Sequence, residues 1–232
     1  MEKVPKHIGI IMDGNRRFAK RLMLKPWMGH EWGAKKLSKV LDWLQELGVH
    51  ELTLYAFSVQ NFNRPKQEFN YLMELFRKEF AELKDDPRLE KQGIRINIIG
   101  RIGMFPEDVQ DKMRAIMEKT KKHDKYIINF AMAYGGREEV MDAVMKIAQQ
   151  VKEGKLDISK INDEVFAEHL YMKDEPELII RTGGEHRTSN FLLWQGNYAE
   201  WFFIEKMWPE VEKEDFVQII EEYQQRERRF GR

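Results

Sequence analysis

The stretch His7-Ile-Gly-Ile-Ile-Met-Asp-Gly-Asn-Arg-Arg-Phe-Ala-Lys-Arg21 changes character at one residue, Asp13. Ile8, Ile10, Ile11 and Met12 make a short, continuous apolar run of the kind that forms a strand buried on both faces. Gly14 permits a tight turn, and Arg16 onward reads as the start of a helix. Strand, turn and helix in that order open an α/β sheet, in which ligands collect outside the C-terminal ends of the strands. The helix N-terminus offers free N–H groups and partial positive charge to an anion, and Arg16, Arg17, Lys20 and Arg21 add cations. Asp13 is the exception among them. Either it caps the helix, or a divalent metal bridges it to a phosphate; both readings stand at this point.

The chain around this stretch has 232 residues, enough for a substantial core, with 39 basic and 39 acidic side chains. The summed field therefore marks no nucleic-acid binder, and any anion site must be local. Cysteine is absent, which excludes disulfides, thiolate zinc sites and a cysteine nucleophile and fits a cytoplasmic setting. No apolar run approaches the ~18 residues of a membrane span, and residues 1–6 are too short and polar for a signal peptide. A soluble protein is expected.

Further along, residues 20–29 are broken by Pro26 and Gly29 and read as a mobile connection beside the first turn. Residues 35–47 carry Leu37, Val40, Leu41, Leu44 and Leu47 at helical spacing, with Gly48 placed to end the helix. A strand over 51–57 runs into a polar loop holding Ser58, Asn61 and Arg64. The helix predicted over 66–84 has more apolar residues than one stripe requires, among them Phe69, Leu72, Phe76, Phe80 and Leu83. Such a helix is buried on two sides, by double packing or a dimer contact, or borders a cavity. Asp85-Asp86 reads as its solvated end. Strands are predicted over 94–100, 127–133, 177–180 and 201–204. Helices are predicted over 106–121, 138–151, near 163–170 and over 213–230, the second with a core stripe of Val140, Val144, Ile147 and Val151. Gly135-Gly136 reads as close strand-to-helix packing. This alternation predicts one α/β domain over 1–232, a six-stranded, mostly parallel sheet flanked by helices. Right-handed crossovers put Asp13, Ser58 and Arg181 on one edge.

Arg181 leaves an apolar strand, Gly183 and Gly184 let the backbone approach a ligand, and Arg187 and Ser189 supply further donors. Guanidinium forks and a hydroxyl on a glycine-rich turn suit diphosphate oxygens; the alternative is a surface pair between Arg181 and Glu185. His30 and His186 read either as acid–base groups or as hydrogen-bonded structural residues. Glu200 stands between aromatics and, if buried, needs a metal, an arginine or an interface partner.

Five blocks in order then resemble the cis-prenyltransferases: residues 7–20, 54–65 and 180–195, Tyr198-Ala-Glu200, and the terminal block from Arg226 to Gly231. The resemblance covers nearly the whole chain. It implies head-to-tail condensation of an allylic diphosphate primer with isopentenyl diphosphate, forming a cis double bond beside a hydrophobic tunnel. By matched position, Asp13 would engage Mg2+ and the allylic diphosphate, with Gly14, Asn15, Arg16, Arg17, Phe18 and His30. Arg181, Arg187, Thr188 and Ser189 would hold isopentenyl diphosphate, with Glu200 on its metal. Ser58, Asn61, Phe62, Arg64 and Glu68 would shape the region between, Asn61 as a candidate in proton removal. The family is typically a homodimer whose C-terminal segment reaches the partner site, and its lipid product implies peripheral membrane contact. Pro26 stands where bacterial members carry an arginine, and Phe18 and Phe62 where tryptophan is frequent, which bears on substrate preference.

Two other classes compete. An aspartate-nucleophile phosphohydrolase wants a second acid two residues after Asp13, where Asn15 stands. A non-catalytic lipid-binding partner subunit is expected to have lost site residues, whereas Asp13, Asn15, Arg17, Arg181, Arg187 and Glu200 are present.

Overall fold

The structure, a computed structural model, describes residues 4–226. Its strands are β1 (His7–Ile11), β2 (Glu51–Ser58), β3 (Ile94–Ile99), β4 (Tyr126–Tyr134), β5 (Leu178–Arg181) and β6 (Glu200–Phe203). They form one sheet in the order β3-β4-β2-β1-β5-β6, and every pairing is parallel. The sheet is thus wholly rather than mostly parallel. Even the segment 182–199, which contains no helix, is long enough to return the chain to the same end of the sheet.

The helices are α1 (Asn15–Arg21), α2 (Gly29–Glu46), α3 (Lys66–Lys84), α4 (Arg88–Gln92), α5 (Glu107–Thr120), α6 (Gly136–Lys152), α7 (Asp163–His169) and α8 (Lys213–Gln225). One core cluster joins Ile8, Ile10 and Leu54 of the sheet to Val40 and Leu44 of α2, Leu72 and Phe80 of α3, Met113 of α5 and Phe216 of α8. A second, smaller cluster holds Ile11, Tyr134, Ile179 and Phe191. The alternation Ile10 to one cluster, Ile11 to the other follows from the two-residue period of a strand covered on both faces.

Four details differ from the sequence reading. Helix α2 begins at Gly29, because Pro26–Met28 forms a short 3-10 turn that feeds directly into it. Residues 88–92 are helical, and Asp86 is no free helix end, since it accepts hydrogen bonds from the Arg88 side chain. On α6 the inward residues are Glu139, Ala143 and Ile147, while Val144 is exposed. That helix is turned by Glu139, whose buried carboxylate accepts hydrogen bonds from Tyr134 Oη, Gln195 Nε2 and Tyr171 N. Finally, α8 ends at Gln225, where Arg226 turns to extended backbone, and the rest of the terminal block, from residue 227, lies outside the described residues.

The register carries the consequence for function. Ile11 lies opposite Tyr55 and Arg181, and Ser58 opposite Tyr134. The turns after β1, β2 and β5 therefore gather at one edge, as right-handed crossovers require. No described helix is long and apolar enough to cross a membrane.

Candidate active site

Gly14 turns the chain out of β1 with φ +102°, and a Cβ there would lie 2.7 Å from Met207 Cβ. Only glycine meets both demands. Gly14 is also the N-cap of α1, with no side-chain capping bond, which removes the reading of Asp13 as a cap. The Asp13 carboxylate instead accepts from Gly14 N at 2.6 Å and from Arg181 Nη2 at 2.8 Å, with Arg17 Nη2 at 3.4 Å. Burial pushes this carboxyl up, but the Arg181 and Gly14 hydrogen bonds and the Arg181 and Arg17 charges outweigh it and hold it below the usual range. Its backbone oxygen accepts from Thr182 Oγ1 at 2.6 Å and Trp208 N at 2.9 Å.

Arg181 is 3% exposed and connects the first turn to the third. One nitrogen donates to Asp13, while Nη1 donates to Ser189 Oγ at 2.6 Å and to the Arg187 carbonyl. Its Nε is buried without a partner among the described residues. The alternative pair with Glu185 does not form; Glu185 accepts from Arg187 and lies 3.5 Å from Arg17 Nη1. Beyond Ser189, the Asn190 carbonyl accepts from Gly136 N at 2.7 Å and its Oδ1 from Arg137 N at 2.9 Å. The start of α6 is thereby filled by Asn190, in keeping with the close packing expected of Gly135-Gly136. Thr188 is exposed, and its carbonyl accepts from Phe191 N.

The middle turn contributes a buried charge cluster. Glu68, 1% exposed, accepts from Arg64 Nη1 at 2.8 Å and lies 3.4 Å from Arg16 Nε. Arg64 Nη1 also lies 3.2 Å from His30 Nε2, so the ring accepts there and is neutral. Burial, then the Arg64 and Arg16 charges, push His30 down to about 3. Asn61 Oδ1 accepts from Ser58 N at 3.0 Å and closes the turn. Phe62 packs among Phe57, Phe69 and Phe105, and Phe18 against Trp32 and Arg21. Lys25, the cation next to Pro26, lies over the Trp27 ring.

These turns border two neighbouring spaces that share lining residues. A cavity of about 320 Å³ is lined by Arg16, Arg17, Lys20, His30, Arg64 and Arg187 against the acids Asp13 and Glu185. A larger one, about 530 Å³, shares Asp13, Asn15, His30 and Arg64 and continues between α2 and α3 past Leu41, Phe76, Phe80 and Leu83. A polyanion fits the first and a hydrocarbon the second. Helix α3 both packs on α5 and borders this space, which explains its surplus of apolar residues.

Glu200 is not brought to this edge within one chain. It opens β6 opposite Leu178, three residues before the Arg181–Phe203 pair, and its Oε2 accepts from Arg226 Nη1 at 2.7 Å. Among the described residues no group of three His, Asp or Glu could cage a metal. The donor set, one carboxylate amid phosphate-type cations, fits Mg2+, which is commonly held by one or two carboxylates plus substrate phosphates. Thr182 and Trp208, which fix the Asp13 backbone, escaped the sequence reading. A hydroxyl directly after Arg181 was a faint signal for the first; nothing local marked the second.

A family model for undecaprenyl diphosphate synthase matches residues 11–231. The chain is 49% identical over 231 residues to the tritrans,polycis-undecaprenyl-diphosphate synthase (geranylgeranyl-diphosphate specific) of Pyrococcus horikoshii, covering 99% of this chain and 88% of that one. The protein of the same name from Methanocaldococcus jannaschii is 45% identical over 235 residues, covering 100% of this chain and 84% of the relative. Lavandulyl diphosphate synthase from Lavandula x intermedia, solved in complex with dimethylallyl diphosphate, superimposes with a TM-score of 0.91 at 33% identity over 99% of each chain.

Proposed function

The chain belongs to the undecaprenyl diphosphate synthase family of cis-prenyltransferases, and from that premise we propose how its residues condense isopentenyl diphosphate with an allylic primer. The enzyme is a transferase of prenyl groups, a cis-type polyprenyl diphosphate synthase. Geranylgeranyl diphosphate is the proposed primer, after the names of the archaeal relatives. The whole chain acts as one catalytic domain.

One observation supports the reading: the cationic cavity and the apolar one lie side by side, with Asp13, His30 and Arg64 lining both. The allylic diphosphate is held by Arg16, Arg17 and the Gly14–Asn15 turn, and its hydrocarbon lies between α2 and α3. Arg181, Arg187, Thr188 and Ser189 hold isopentenyl diphosphate. In the reaction the allylic C–O bond breaks, its carbon bonds to the terminal alkene carbon of isopentenyl diphosphate, and a proton leaves. Fixing both diphosphates aligns the reacting carbons, and the apolar wall keeps water from the developing cation. Asp13, together with the substrate phosphates, would hold Mg2+, which would supply neutralisation of charge on the departing diphosphate. Burial and the charges of Arg64, which Glu68 holds in place, and of Arg16 keep His30 in the neutral form, as a hydrogen-bonding wall rather than an acid. Ser58 and Phe62 set the Asn61 turn, and Asn61 orients groups near the departing proton, since an amide is a poor base. Phe18 closes the outer side. Glu200 is left out of the single-chain site.

The proposed setting is cytoplasmic, as a homodimer with peripheral membrane contact for product release. Purified protein given labelled isopentenyl diphosphate, geranylgeranyl diphosphate and Mg2+ should form a butanol-extractable polyprenyl product, lost on chelation. No incorporation with any of several primers would sink the reading.

A further inference from the structure

The turn that carries Ser189 is wound against the preference of its residues. Phe191 N donates to the Thr188 carbonyl at 3.1 Å, and the two residues between them, Ser189 and Asn190, stand at φ +50° and +64°. Two left-handed central residues are the signature of a type I′ turn, which favours Asn-Gly or Gly-Gly and disfavours serine. Thr188 and Ser189 are exposed, so burial does not hold them there. Hydrogen bonds must.

Most of them are made by Asn190. Its carbonyl accepts from Gly136 N at 2.7 Å, its Oδ1 accepts from Arg137 N at 2.9 Å, and its Nδ2 donates to Glu138 Oε2 at 2.9 Å. Helix α6 has Gly135 as its N-cap and no side-chain cap of its own, so Asn190 caps it from another turn. The other Glu138 oxygen lies 3.4 Å from Gln60 Nε2, beside Asn61. A longer bond, 3.3 Å from Tyr55 Oη to the Ser189 carbonyl, helps from the sheet side. Gly135 shows that the pair has a reserved place. Its backbone, with φ −163°, is extended and open to any residue, but a Cβ there would lie 2.1 Å from Glu138 Oε2 and 2.7 Å from Asn190 Nδ2.

Resting on the assignment of Arg181, Arg187 and Ser189 to isopentenyl diphosphate above, we propose that Asn190 and Glu138 are a positioning pair for that diphosphate. Neither residue lines the anion cavity. Glu138 fixes the Asn190 amide, Asn190 fixes the left-handed turn on the start of α6, and the turn presents Ser189 Oγ to Arg181 Nη1 at 2.6 Å. Backbone held in such a conformation persists only while its surroundings over-determine it. Without the pair the turn relaxes toward negative φ, and Ser189 leaves Arg181. The allylic site, built on Arg16 and Arg17 in the first turn, is not touched.

The test is steady-state kinetics with isopentenyl diphosphate and geranylgeranyl diphosphate varied in turn. Asn190→Asp keeps an acceptor for Arg137 N but sets a second carboxylate against Glu138. It should raise KM for isopentenyl diphosphate about tenfold, the worth of one lost hydrogen bond, with kcat and the primer's KM within about twofold of wild type. Adding Glu138→Gln exchanges donor and acceptor at unchanged total charge, and the double variant should return to within about threefold of the wild-type KM. Circular dichroism establishes that each variant folds. If Asn190→Asp does not, Glu138→Ala at the partly exposed start of α6 decides, with the same KM expected to rise at least about threefold. A wild-type KM in a folded single variant, an equal rise for both substrates, or a double variant no better than Asn190→Asp overturns the proposal alone. No incorporation by the wild-type protein would overturn the functional reading, and the proposal with it.

Discussion

Asp13 and Arg181 form an ion pair with unequal surroundings. The Arg181 side chain is 4% exposed and that of Asp13 30%, so solvent and ligand reach the pair from the carboxylate side. This suits a carboxylate that must meet a metal and a diphosphate while its other contacts keep it ionised. Replacing it tests both roles together. Asp13→Ala should lower turnover by at least ~10²-fold, the order seen when a preorganised electrostatic group is removed. It also strands the Arg181 charge. A fully buried pair broken this way costs about 3–5 kcal/mol, and the solvent reaching Asp13 brings the expectation to about 2 kcal/mol, read from denaturant melts. Turnover near wild type with the fold intact would take the carboxylate out of the mechanism.

At the level of elements, the site depends on how closely α2 approaches α1. A Cβ on Gly29 would lie 1.9 Å from Asn15 O, a backbone atom that cannot step aside, and one on Gly33 2.4 Å from Asn15 Oδ1. These two glycines let the start of α2 rest on the start of α1, which brings His30 beside Asn15 and Arg64. Gly29→Ala should therefore push the helices apart. The expected stability loss is about 1–3 kcal/mol, as for overpacking elsewhere, with a larger fall in kcat/KM than in the melting midpoint. Unaltered kinetics would mean that the two helices can part without disturbing the anion site.

For the molecule as a whole, one contributor to acid stability that lies away from the site is His7. It lies buried at the sheet's N-terminal edge, its Nε2 2.8 Å from Thr53 Oγ1, and burial pushes it down to about 4 from its ordinary 6.5. Glu51 lies 3.8 Å from the ring, and burial raises its carboxyl as well. The unfolded chain therefore binds a proton that the folded one refuses between pH 6.5 and about 4. The stability His7 contributes is whole above the unfolded value and is lost as pH falls through that window, by about 3 kcal/mol. His7→Gln should flatten the decline by that amount in urea melts at stepped pH, and a parallel decline in both proteins would remove His7 as its source. Much of this architecture was legible beforehand, because burial of strands and helix faces leaves a period in the chain. The apolar run before Asp13, the helix over 66–84 and the two arginine-bearing turns follow from local chemistry and from the handedness of crossovers. Partnership between residues far apart in sequence leaves no such period. Whether Arg181 would pair with Glu185 or reach across to Asp13, whether α6 would turn Val144 or Glu139 inward, and that Asp86 would serve Arg88 were decided only by packing in three dimensions. Each is a competition among nearby partners for one buried polar group, and only the assembled fold sets the distances on which that competition turns.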